Sequence, residues 1–191
     1  MFAKRHMGYL GLLAGVAASV CAAQAPSGQS FTLTSTSFKD GEMMQVKNAG
    51  NDKSNPNCVG ENISPPMTWT NVPAGTKSFA LLMYDPEGRQ GLGVVHWVAY
   101  GIPASVTSFA EGEVGKESPK YIGGKGTRGA SIYLGPCPPP KTGMHHYTFT
   151  LIATDLDPKE LKPGLTKDEL WTALNGHTKG AAGLVGTFGR P

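Results

Sequence analysis

Polar and apolar positions alternate along much of this chain with a period of two, the spacing of a strand with one buried face. FTLTSTSF (Phe31 to Phe38) is threonine-rich and alternating, and predicts a strand. MMQV predicts a second, short one after the Lys39-Asp40-Gly41 turn, and MTWT (Met67 to Thr70) a third. Two runs are apolar on both faces: Ser78 to Tyr84, and VVHWVAY from about Val94 to Tyr100. Continuous apolar runs of that length predict central strands covered on both sides. The glycine-rich segment between them suits a long antiparallel hairpin. A third core strand spans Tyr147 to Thr154, and Leu184 to Phe188 reads as a late one, with a short helical turn before it. Only one stretch carries helix punctuation. Thr166 with Glu169 three residues later forms a capping box, and Asn175-Gly176 closes a helix over about Lys167 to Leu174. Residues 47–66 and 104–131 show little periodicity and read as loops, the second irregular and exposed. The pattern predicts a mainly β chain, an antiparallel β-sandwich with a small C-terminal helical element.

Composition supports this reading. Glycine (26) and proline (15) are both enriched, which favours many turns over a helical bundle. At 191 residues the chain is long enough for one domain with a sizeable core. The N-terminus differs in kind. Lys4 and Arg5 precede an apolar segment from about Met7 to Val20 and then small residues, the layout of a secretory signal peptide. Cleavage after Ala23 leaves residues 24–191 as the mature domain, opening on a short linker from Gln24 to Gln29. Lipid attachment at Cys21 is disfavoured by the bulky Val20 before it. Removing Lys4 and Arg5 takes the formal charge from +3 to +1. No basic run remains to suit nucleic acid or a membrane surface, and the mature chain is expected in the periplasm or outside the cell, without stable membrane insertion. Two cysteines then remain, Cys58 and Cys137. An even pair in an exported protein predicts a disulfide, with two free thiols as the alternative.

Candidate chemistry gathers around IYLGPCPPPKTGMHHYTFTL (Ile132 to Leu151), where a proline- and glycine-stiffened loop runs into the third core strand. Alternation puts His145 and Tyr147 on one face and His146 on the other. Asp85 ends one core strand and His96 interrupts the next. If those strands are neighbours, a carboxylate, two imidazoles and a phenol converge. The imidazoles and phenol are donors suited to phosphate or carboxylate oxygens. Asp85 could orient a histidine or receive a ligand's ammonium group. The same set could hold a metal on paper, but no histidine pair has the short helical spacing such sites use. Ser131 and Thr142 lie near the loop without a nucleophile elbow, and the glycines at 123–129 do not lead from a strand into a helix. No catalytic residue, metal or cofactor is therefore expected.

The ordered set DPE (85–87), HW (96–97), GPCPP (135–139) and HHY (145–147) resembles the phosphatidylethanolamine-binding protein family, also called the Raf kinase inhibitor protein family. The match is closer to its bacterial YbhB/YbcL group and covers about Phe31 to Arg190. The resemblance implies an antiparallel β-sandwich with a small anion pocket at one end. It implies pocket residues Asp85, Pro86, His96, Tyr133, Cys137, Pro138, His145 and Tyr147, with His146 outside and Trp97 in the core. The implied ligand is small and anionic or phosphorylated, such as a phosphorylethanolamine headgroup. A protein partner is the alternative, as for relatives that regulate proteases or kinase pathways; an ester hydrolase is a more distant third. The chain departs from many relatives in having DPEGR where they have DPDAP, and in lacking tryptophans in QGLGVV. Both changes fall on the pocket rim.

Overall fold

A computed structural model describes residues 28–191; the expected signal peptide lies outside them. Eight strands form two sheets, and every pairing between named strands is antiparallel. The strands are β1 (Thr32–Thr34), β2 (Met67–Thr70), β3 (Ser78–Asp85), β4 (Val94–Pro103), β5 (Ser108–Phe109), β6 (Ile122–Gly123), β7 (Met144–Thr154) and β8 (Thr178–Gly189). The small sheet has the order β1-β2-β5 and the large one β6-β4-β3-β7-β8. β3 is thus central, which explains why SFALLMYD alternates in neither direction.

Two cores sit on the two faces of the large sheet. Phe79, Leu81 and Met83 of β3 point into the sandwich with Phe149 and Leu151 of β7, and meet Leu33, Met67 and Trp69 of the small sheet. Trp69 packs edge-on to both Phe79 and Phe109, with ring centroids 5.6 and 5.5 Å apart. Ala80 and Leu82 point the other way and join Val98 and Tyr100. Leu170 and Leu174 of the helix Lys167–Leu174 cover that second face. The helix starts as its punctuation predicts. Glu169 N–H donates to Thr166 Oγ1 at 3.3 Å, and Thr166 N–H donates to Glu169 Oε2 at 2.9 Å. Among the described residues no helix is long and apolar enough to cross a membrane.

Several expectations need correction. The first strand covers only Thr32–Thr34, although Phe38 is still buried. MMQV is not a strand: Met43 makes a lone parallel bridge to Thr187, and Val46–Asn48 forms a 3-10 turn. Residues 104–131 are not simply exposed. They bury Phe109, Val114 and Tyr121 and supply the edge strands β5 and β6. The helical turn expected before Leu184 is absent, because β8 already runs from Thr178. Its KGAAG start has little intrinsic strand preference; eleven residues of register with β7 impose the conformation.

Candidate functional site

The ends of β3, β4 and β7 meet at one edge of the large sheet, since Tyr84 pairs with both Val95 and Thr148. Strand alternation places Asp85 in the row of Phe79, Leu81 and Met83, and His145 and Tyr147 in the row of Phe149 and Leu151, all on the sandwich face. His96 joins them through a bulge. Met83 is opposite Trp97 while Tyr84 is opposite Val95, so β4 carries one extra residue there. An extra residue breaks the alternation. Val95 and Val98 therefore belong to the outer core while His96 and Trp97 both turn inward. Without the bulge, the even-numbered His96 would sit with Val98 under the helix.

These groups line a cavity of about 260 Å³. Asp85 is its structural hub. Oδ1 accepts the backbone N–H groups of Glu87 (2.9 Å) and Gly88 (3.0 Å), and Oδ2 accepts His145 Nδ1–H at 2.9 Å. The carboxylate thus has the orienting role. On the far side of the ring, His145 Nε2 lies 3.1 Å from Thr142 Oγ1, whose hydroxyl donates to the Pro139 carbonyl at 2.8 Å. His96 donates from Nδ1 to the Leu134 carbonyl at 2.8 Å. Burial pushes its pKa down to about 4, so the ring is neutral at pH 7 and Nε2 carries a lone pair. Its 4.0 Å approach to Asp85 is then not an ion pair.

Tyr147 is fully buried, edge-on to His96, and lines the same cavity. Burial, reinforced by the charge of Asp85, holds its phenol firmly protonated. Its hydroxyl has no hydrogen-bond partner among the described residues. A buried hydroxyl left unpaired costs about 1–3 kcal/mol.

The remaining wall is the proline loop. Cys137 is disulfide-bonded to Cys58, 79 residues away in sequence. The loop is further tied to residues 48–62 by Gly135 N–H to Asn62 Oδ1 (2.8 Å) and Gly50 N–H to the Pro136 carbonyl (2.9 Å). Of the eight residues expected in the pocket, Asp85, His96, Cys137, Pro138, His145 and Tyr147 line the cavity. Pro86 and Tyr133 do not. Pro86 is exposed, because Asp85 draws the next two N–H groups inward and leaves Gly88 and Arg89 facing the cavity. Tyr133 is buried with its hydroxyl donating to the Asn48 carbonyl at 2.8 Å. His146 lies outside, exposed, with its ring 2.8 Å from Glu87 Oε1 and its N–H donating to Oε2. Burial pushes the Glu87 pKa up, but the hydrogen bonds from His146 outweigh it and bring the value down to about 2.

Sequence reasoning missed Arg89, Thr127 and Arg128, which also line the cavity. Arg89 was signalled by the departure DPEGR; Arg128 sits in a loop that reads as merely solvated. Asp85, Glu87 and His145 bring potential metal-ligand atoms within 4.8 Å of one another. Those atoms already serve as partners in the hydrogen bonds above. A wider groove of about 520 Å³ lies between the helix and Ile152 on the outer face of β7, with no charged residue in its lining.

The family model for phosphatidylethanolamine-binding protein matches residues 34–189. The chain belongs to that family. The phosphatidylethanolamine-binding protein fold also appears in the crystal structure of Escherichia coli YbcL, which superposes with a TM-score of 0.75 at 30% identity, over 84% of this chain and 99% of YbcL. A UPF0098 protein of Methanothermobacter thermautotrophicus is 38% identical over 135 residues, 70% of this chain and 87% of the relative. LppC of Mycobacterium tuberculosis, named as a lipoprotein, is 37% identical over 164 residues, 86% of this chain and 75% of the relative. These similarities place the chain in the bacterial YbcL group of phosphatidylethanolamine-binding proteins.

Proposed function

We propose that the mature chain is an exported, non-catalytic binding protein whose cavity takes a phosphate-bearing group such as a phosphorylethanolamine headgroup. The observation that carries this reading is the Tyr147 hydroxyl, buried, protonated and without a partner in the cavity wall. The Nε1–H groups of Trp69 and Trp97 are also unpaired among the described residues, but they lie in the core, whereas Tyr147 lines the cavity, where an acceptor oxygen from outside the protein can satisfy it. The size of the cavity suits a headgroup rather than a whole lipid. The Asp85–His145–Thr142 chain supports a role in holding the wall rigid, since the Thr142 hydroxyl is committed to the Pro139 carbonyl and not to an attack on a ligand. Export is supported by the signal-like N-terminus, by the Cys58–Cys137 bond, and by the relative named as a lipoprotein.

Calorimetry with phosphorylethanolamine tests the reading. Tyr147→Phe removes one oxygen and is expected to weaken binding about tenfold, the value of a lost hydrogen bond to a charged group. His145→Ala is expected to weaken it at least as much. Equal affinity in wild type and both variants would refute the site, and turnover of phosphate esters by wild type would refute the non-catalytic assignment.

A further inference from the structure

Two cationic side chains at the cavity have no role in the hydrogen-bond framework described above. Arg89 reaches it from the turn after β3, and Arg128 from the loop before the proline segment. Resting on the phosphate-binding reading, we infer that Arg89 and Arg128 are specificity-determining residues that select a terminal phosphate, a monoester with two negative charges such as that of phosphorylethanolamine, over a phosphodiester, including the zwitterionic diester of a lipid headgroup.

The charge distribution at the cavity carries this. The two carboxylates of the turn after β3 are engaged by protein partners: Asp85 by His145 and two backbone N–H groups, Glu87 by His146. Every oxygen of the two is thus already engaged, and neither is free to receive a ligand's ammonium group. The guanidiniums are the opposite case. Arg89 forms no ion pair among the described residues, and Arg128 comes only to 3.9 Å from Asp52, with both side chains well exposed. A pair that long and that exposed contributes little, so Arg128 can turn to a ligand at small cost. The charge of Arg128 is already felt inside: burial is the main force keeping His96 neutral, and Arg128 adds to it.

Both arginines are also held in place. Arg89 and Gln90 are consecutive non-glycine residues in left-handed backbone, with φ of 53° and 61°. That conformation is costly and persists only where its surroundings enforce it. Here Asp85 binds the turn from inside and the Glu87–His146 contacts bind it from outside. Arg128 projects from a turn clamped to the start of β4, where Thr127 N–H donates to the Val95 carbonyl and Val95 N–H donates to Thr127 Oγ1, each at 2.8 Å. Guanidinium groups bind phosphate through paired donors. A monoester offers three free oxygens and two charges. A diester offers two and one.

The test is calorimetry on wild type, Arg89→Gln, Arg128→Gln and the double variant, at fixed salt and at a pH where the monoester is doubly charged. The probes are glycerol 3-phosphate and glycerophosphoethanolamine. Wild type is expected to prefer the monoester by about tenfold or more. Each single variant is expected to lose several-fold in monoester affinity. The double variant is expected to lose about tenfold or more for the monoester and much less for the diester, with thermal melts unchanged. Equal wild-type affinity for the two probes, or an unchanged preference in the double variant, overturns the inference while leaving the cavity a phosphate site. Wild type that binds neither probe overturns the phosphate-binding reading and this inference with it. Sedimentation with phosphatidylcholine vesicles, with and without phosphatidic acid, separates the sources. Retention on phosphatidic acid that glycerol 3-phosphate reverses supports a lipid-borne monoester. Calorimetric binding without retention supports a free one.

Discussion

His96 shows how burial and one hydrogen bond decide what a side chain can do. Its Nδ1–H is committed to Leu134, and its surroundings hold the ring neutral with a pKa of about 4 against an ordinary 6.5. Between those values the unfolded chain binds a proton at this residue and the folded chain does not. The His96 contribution to stability is therefore complete above 6.5 and is lost as the pH falls toward 4. The shift corresponds to about 3 kcal/mol. Asparagine keeps a donor near Nδ1 without titrating, so His96→Asn is expected to flatten the pH dependence of urea unfolding across that window. A wild-type-like slope in the variant would show that His96 is not the group responsible. Asp85 is the second decisive residue. Asp85→Asn leaves the His145 Nδ1–H without its charged acceptor, and is expected to destabilise the protein by about 1–3 kcal/mol and to weaken phosphate binding. An unfolding curve superimposable on wild type would show that the carboxylate does not orient the ring. The shared face of His145 and Tyr147 was legible in the sequence because the period of a strand is two and both lie on one uninterrupted strand. The direction of His96 was not. Read by plain alternation it belongs with Val98, and only the bulge opposite Met83 brings it into the cavity.

At the scale of elements, the readable parts were those whose signals are local. The capping box at Thr166 gives the helix start to the residue, and MTWT gives β2. Thr166→Ala is expected to cost about 1 kcal/mol, lowering the melting temperature with ligand affinity unchanged. A drop in affinity would mean that the helix reports to the cavity through β3. Elements made by pairing rather than by their own residues were not readable. The first half of β8, before the Leu184 to Phe188 stretch that reads as a strand, is one because β7 lies beside it, and Phe109 and Tyr121 are buried in a three-ring cluster with Trp97, with centroids 5.8, 5.5 and 6.0 Å apart. Nothing within residues 104–131 records that neighbour. The glycines of the turn after β3 are a partial exception. A Cβ on Gly88 would lie 2.6 Å from Val94 Cγ2 and 3.0 Å from Asp85 Oδ2, so the close approach of turn and strand needs glycine there.

For the molecule as a whole, the sandwich supplies three adjacent strand ends and the loops close a wall around them. The Cys58–Cys137 bond fastens the proline loop to residues 51–62 across 79 positions, long enough to restrict the unfolded chain by about 4 kcal/mol in the chain-entropy account. The Cys58→Ser/Cys137→Ser double variant is expected to lose about 4 kcal/mol by the same account and to bind phosphate more weakly, since Cys137 and Pro138 form part of the wall. Full affinity in that variant would show that the backbone hydrogen bonds of Gly50 and Gly135 hold the loop unaided. The most direct examination of the cavity's role is a crystal structure of the protein with phosphorylethanolamine. The account predicts the phosphate between the strand ends, with one oxygen about 2.7 Å from the Tyr147 hydroxyl. A ligand bound elsewhere, with water alone beside Tyr147, would contradict it.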